Sequence, residues 1–188
     1  MGATVVLYDG APATTEDPLA LLRVVATLNV THFGTSPAYI QSLSQVSESE
    51  LCDSGGQLMI FPKLEALLVT GSVSSKPHFE IAREVFGKHV KYQSMSGGTD
   101  VNGCFALGSS VLPVCDGELQ TRALGMDVRI FPSDDDSSWY VPPGQPRNSL
   151  VGQQGELVCC SSAPCMPLRF LHDPTHESFR RAYFERFG

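Results

Sequence analysis

Between Thr4 and Gln93 short β-branched or apolar runs alternate with stretches of helical periodicity, and few folds accommodate that order. Thr4 to Tyr8 is a β-branched run closed by the turn signal Asp9-Gly10. Asp17-Pro18 is suited to opening a helix, with Asp17 as cap and Pro18 in the first turn. Leu21, Leu22, Val25 and Leu28 follow on one helical face. Val30 to Phe33 reads as a strand, Pro37 to Leu43 as a short helix, and Ser44 to Gly56 as a polar loop. The unbroken apolar run Leu64 to Val69 predicts a strand covered on both faces. His78 to Phe86 is helical in pattern and stops at Gly87; Val90 to Gln93 is one more strand. Such alternation predicts an α/β architecture, a mostly parallel sheet flanked by helices, over residues 1–110.

Residues 111–188 differ in texture. Glu118 to Gln120, Met126 to Phe131 and Glu156 to Cys160 are short strand candidates between turn-rich segments, and helical periodicity returns only at Phe179 to Phe187. A smaller antiparallel, β-rich, barrel-like subdomain is expected. Ser133 to Ser138, with Asp134-Asp135-Asp136, reads as a hairpin tip; a solvated loop explains its charge better than a metal site does.

A chain of 188 residues, 42% of them hydrophobic, can bury a useful core. Its net charge of −7 argues against a nucleic-acid partner, because phosphate binding needs clustered Lys and Arg. The four lysines, Lys63, Lys76, Lys88 and Lys91, all lie in the middle of the chain. No window approaches the roughly 18 apolar residues of a membrane span, and with no basic, cleavable pattern at Met1 to Tyr8 a secretory leader is not expected. Cys52, Cys104, Cys115, Cys159, Cys160 and Cys165 contain no Cys-x-x-Cys pair, so zinc is disfavoured. Free, mostly buried thiols in a reducing, cytoplasmic compartment are the expectation.

Ligands of parallel sheets gather at the carboxyl ends of strands, and two loops there stand out. Ser96-Gly97-Gly98-Thr99-Asp100 offers glycines whose N–H groups can form an anion nest, a hydroxyl on Thr99, and a hard oxygen ligand for Mg²⁺ on Asp100. A Gly-Gly turn capped by Thr and Asp explains the same residues, and on the motif alone that plainer reading is favoured. Thr70-Gly71-Ser72-Val73 is weaker individually; a strand-to-helix turn with Ser72 or Ser74 as cap accounts for it. Other motifs fail. Pro174 lies between His172 and His176, no Gly-x-Ser-x-Gly elbow exists, and no Gly-x-x-x-x-Gly-Lys-Ser/Thr loop is present. Trp139 is better read as packing locally than as stacking a base.

With these loops the sequence resembles the acetoacetyl-CoA synthetases of the adenylate-forming acyl-CoA synthetase superfamily. The likeness is carried by Gly2 to Gly10 (GATVVLYDG), Phe33-Gly34-Thr35-Ser36-Pro37, Thr70-Gly71-Ser72 and Ser96-Gly97-Gly98-Thr99-Asp100. It continues through Leu112-Pro113-Val114, Gly117 to Gln120, Leu124-Gly125-Met126, Gly155 to Cys159, Met166-Pro167 and Arg181 to Phe184. The resemblance implies a partial AMP-binding domain, a fragment of an adenylate-forming enzyme's N-terminal domain. It also implies a reaction in which ATP and acetoacetate give acetoacetyl-AMP, followed by thioester formation with CoA. ATP, Mg²⁺ and CoA would serve the complete enzyme, whose setting would be lipid and ketone body metabolism.

By the same resemblance Gly71, Ser72 and Val73 border the adenine, and Ser94, Met95, Ser96, Gly97, Gly98 and Thr99 hold adenine and phosphate. Thr99 and Asp100 would be the catalytic pair near the α-phosphate, with Asp100 on the metal. Gly97 would leave room for the acyl chain. Val73 departs from the usual proline. The family's phosphate loop and its lysine are expected before Met1; its ribose-binding aspartate and lysine-bearing C-terminal domain are expected after Gly188. The isolated chain is therefore expected to be inactive, its partners being small molecules and the remaining portions of its own enzyme. The alternative is a non-catalytic remnant that serves as a binding or interaction module.

Overall fold

The computed structural model describes residues 2–12, 17–47, 49–52, 55–131, 152 and 154–186. The acidic run at 134–136 and Trp139 lie outside the described residues. Two compact units are present, 1–96 with 106–121, and 97–105 with 122–188.

In the first unit three parallel strands, β1 (His32–Thr35), β2 (Ala66–Val69) and β3 (Lys91–Ser94), lie in sequential order with β2 central. The register sets Thr35 against Val69 and Val69 against Ser94, so the three carboxyl ends share one rim. Both crossovers are helical, α2 (Pro37–Leu43) and α3 (Lys76–Phe86), and the two helices touch. Parallel pairing follows from the apolar run: Ala66, Leu67 and Val69 are buried, as a strand covered on both faces requires.

Local chemistry sets the helix ends. Ser36 caps α2, its hydroxyl accepting from the Tyr39 N–H at 3.2 Å with Pro37 next in line. Helix α1 (Ala20–Thr27) buries Leu22 and Val25, then ends at Asn29, whose φ is 50°. There the Val30 N–H reaches the Val25 carbonyl at 3.1 Å and the Asn29 N–H reaches Ala26 at 3.2 Å, a Schellman closure. Asp17 does not cap α1 as expected. Leu19 holds that place, while Asp17 accepts from the Leu19 N–H at 3.2 Å and pairs with Arg23. The turn ahead of the helix takes up the carboxylate. Leu28, at the C-cap, is exposed rather than on the buried face.

Segment 106–121 belongs to the same unit. Asp116 takes both Arg83 guanidinium nitrogens, at 2.8 and 2.6 Å, and the Gln120 amide donates to the carbonyls of Ser109, Leu112 and Pro113. Glu118 to Gln120 is thus a loop tied by its own side chain and not the expected strand, which is instead β6 (Thr121–Arg122). Thr4 to Tyr8 is also not a strand: among the described residues no neighbour pairs with it, and Val5 and Leu7 are exposed.

The remaining strands form two small sheets, β4 (Ser96–Gly98), β5 (Gly103–Leu107) and β6 in one, and β7 (Val128–Phe131) antiparallel to β8 (Glu156–Cys159) in the other. Among the described residues they do not close into a barrel. Helix α4 (Glu177–Phe184) follows, and the Asp173 carboxylate accepts from the N–H groups of Phe179 at 2.9 Å and Ser178 at 3.3 Å. All six cysteines are free, but they are half-buried or exposed rather than mostly buried; five of them follow residue 100, where few of the described residues reach a core. Among the described residues no helix is long and apolar enough to cross a membrane.

Candidate functional site

At the carboxyl rim of the parallel sheet the chain leaves the strands through mostly polar or glycine residues, Met95 being the apolar exception. Ser36 follows β1, Thr70-Gly71-Ser72 follows β2, and Met95-Ser96 follows β3. Backbone hydrogen bonds extend the ladder one residue beyond the strands: Thr70 N–H to Thr35 at 3.2 Å and Met95 N–H to Val69 at 2.8 Å. Two of the predicted segments, 71–73 and 94–96, are therefore neighbours on one rim. Gly71 has a φ of 100°, a conformation that favours glycine, and open space where a side chain would stand. Ser72 is exposed, and Val73 is 87% exposed.

Support for this rim comes from below. Ser74 is buried, and its hydroxyl meets the Tyr92 hydroxyl of β3 at 3.0 Å. Burial raises the Tyr92 pKa, with the Ser74 contact acting the other way. Ser75, rather than Ser72 or Ser74, is the N-cap of α3, its N–H donating to His78 Nδ1 at 2.9 Å. The turn from 70 to 75 is consequently held at both ends.

Residues 97–100 belong to the second unit and take a different form from the expected nest. Ser96 to Gly98 is strand β4, and neither Gly97 nor Gly98 has positive φ. Gly97 is glycine for another reason. A Cβ there would lie 2.1 Å from the Gly103 carbonyl oxygen and 2.8 Å from Cys104 Cα, so β5 leaves it no space for a side chain. Gly98 meets nothing within 4 Å. Gly97→Ala should accordingly cost about 1–3 kcal/mol by overpacking, whereas Gly98→Ala should cost under about 1 kcal/mol; urea unfolding of the two variants checks this.

Thr99 and Asp100 sit in the turn between β4 and β5, both exposed, with the Asn102 N–H closing onto Thr99 at 3.1 Å. Asp100 accepts a hydrogen bond from the Tyr183 hydroxyl of α4. That hydrogen bond, first, and burial, second, hold the Tyr183 phenol up at about 12. Motif reading missed Tyr183. The signal available was the four-residue spacing of Phe179 and Tyr183, which sets two aromatic rings on one helical face. A shallow hollow of about 730 Å³ runs along α4 beside His176, Phe179, Arg180 and Phe184, and it contains none of the predicted site residues. Among the described residues no three His, Cys, Asp or Glu side chains converge as a metal cage. Asp100, as a lone exposed carboxylate, suits a cation that takes most of its ligands from phosphate and water, as Mg²⁺ does.

No family model matches the chain. The acetoacetyl-coenzyme A synthetase of Rhizobium meliloti (strain 1021) is 34% identical over 187 residues, 100% of this chain and 26% of that protein. The chain is similar throughout to one segment of acetoacetyl-CoA synthetases. It spans about a quarter of the length of the curated relatives it matches. The solved acetoacetyl-CoA synthetase from Streptomyces lividans superimposes with a TM-score of 0.75 at 31% identity, over 99% of this chain and 26% of that one. Malonamoyl-CoA synthetase vrtB of Penicillium aethiopicum is also 34% identical, over 166 residues, 84% of this chain and 21% of that protein. Relatives named for different acyl groups thus share the same identity over different lengths, and identity alone does not separate acetoacetyl from malonamoyl.

Proposed function

We propose that this chain is part of the AMP-binding domain of an acetoacetate–CoA ligase, with 1–110 as its α/β part and 111–188 as its β-rich part. The whole-chain likeness to acetoacetyl-CoA synthetases supports this reading. The observation that carries it is the rim after β2 and β3, where backbone and hydroxyl groups at strand ends would meet an anionic, hydrogen-bonding ligand. In this reading Gly71, Ser72 and Val73 line the adenine. Ser94, Met95, Ser96, Gly97, Gly98 and Thr99 orient adenine and phosphate, and Gly97 lies beside the acyl group. Thr99 donates its hydroxyl toward the α-phosphate, and Asp100 offers its carboxylate to Mg²⁺. Bound Mg²⁺ would supply charge neutralisation at the phosphates.

With only about a quarter of its relatives' length, the chain alone is proposed to be inactive, its task being to complete a site with the rest of the enzyme. ATP–pyrophosphate exchange with acetoacetate tests both statements. A protein carrying this segment at the full length of its relatives should exchange, and the 188-residue chain should not. No exchange by the long form with acetoacetate, or measurable exchange by the short one, overturns the corresponding statement. Running acetoacetate against malonamate in the long form decides the acyl group.

A further inference from the structure

Asp100 occupies an exposed turn, yet its carboxylate is not left to swing freely. The Tyr183 hydroxyl that donates to Oδ2 is set by ring packing. Phe170 and Phe179 meet the Tyr183 ring edge to face at centroid distances of 5.6 and 5.2 Å, and they meet each other at 5.5 Å. The helix beneath is fixed at its start by the Asp173 carboxylate, and toward its end by the Arg186 guanidinium donating to Glu156 of β8 at 3.2 Å. The turn is fixed from its own side, with Val101 buried and Asn102 closing back onto Thr99. Two independently anchored pieces thus meet at one hydrogen bond.

We propose that Tyr183 is a positioning residue, its hydroxyl holding one Asp100 oxygen so that the other is presented, still charged, to a divalent cation. The proposal rests on the reading of Asp100 given above. A phenol is suited to the task because it donates a hydrogen bond without bringing a positive charge; an arginine or lysine in its place would neutralise what the cation needs. An exposed Asp side chain otherwise populates three staggered χ1 wells, so holding it in one spares the cation an entropy cost worth roughly threefold in affinity.

The test uses Mn²⁺ as probe on the 188-residue chain, read by paramagnetic broadening of the amide resonances of 99–102. Tyr183→Phe keeps the ring packing and removes only the hydroxyl. It should raise the Mn²⁺ needed for half-broadening about threefold in the parent background and leave it unchanged in an Asp100→Asn background. Equal Mn²⁺ dependence of parent and Tyr183→Phe overturns the proposal, as does an equal rise in both backgrounds. In the full-length protein the same substitution should raise the Mg²⁺ for half-maximal exchange by about threefold, with the KM for ATP at saturating Mg²⁺ changed by less than about twofold. A fall in kcat with lowered melting temperature and unaltered Mg²⁺ dependence would mean a merely structural role and would also overturn it. If the long form shows no exchange at all, the ligase reading falls, and the Mn²⁺ comparison still decides Tyr183.

Discussion

Asp100→Asn in the full-length protein should lower ATP–pyrophosphate exchange several hundredfold while leaving the melting temperature within about 2 °C of the parent. The expected size follows from loosening the Mg²⁺ that Asp100 is proposed to hold against the phosphates, a loss of stabilisation at a developing charge worth about 3–4 kcal/mol. Asparagine suits the experiment because its side-chain oxygen still accepts from the Tyr183 hydroxyl, so the contact between the turn and α4 survives while the charge is lost. Asp100 is exposed and packs into no core, so little stability is at stake. A loss smaller than tenfold, with fold intact, would remove Asp100 from the metal-facing role and take the Tyr183 proposal with it. Thr99→Ala should cost less, because a neutral donor at a phosphate is worth less than a charge.

What the sequence could and could not foretell divides along physical lines. Helix α2 was legible to the residue, because Ser36-Pro37 is a local start signal and the bond that makes it so spans three residues. The core strand β2 was legible because a run such as Leu64 to Val69 has no comfortable exposed form. The rim followed from these two, and so did the adjacency of 71–73 to 94–96. Thr4 to Tyr8 failed for the complementary reason. Its β-branched residues fit a pleated surface, but a strand exists only where a neighbour supplies hydrogen bonds, and among the described residues none pairs with this run.

The candidate site was half legible. Glycines at 97 and 98 drew attention as a flexible nest, whereas β4 is extended and Gly97 answers to a close approach by Gly103, which no local pattern encodes. Strands β4 and β5 were missed altogether because glycine depletes the propensity signal. The Tyr183 contact joins positions 83 apart in sequence, and no periodicity reaches that far. A long-range hydrogen bond is visible only once both helix and hairpin have been folded.

The other large effect concerns the scaffold beneath the rim. Phe79→Ala should destabilise the first unit by about 3–5 kcal/mol, the range for deleting a fully buried aromatic ring. Phe79 is 1% exposed on α3, and its ring lies 4.0 Å from that of Tyr92 at a 30° tilt. Tyr92 in turn holds Ser74, the buried residue that anchors the turn after Gly71-Ser72-Val73. The cavity would therefore open directly under the segment proposed to border adenine. Domains of this size are stable by only about 5–15 kcal/mol, so a loss of that size consumes about a fifth or more of the total. Urea unfolding followed by the far-ultraviolet signal should show a lower midpoint, with Phe79→Leu recovering more than half of the difference. A loss under about 1 kcal/mol would mean that the Phe79–Tyr92 pair is not packed as described, and the rim would lose the support on which its placement depends.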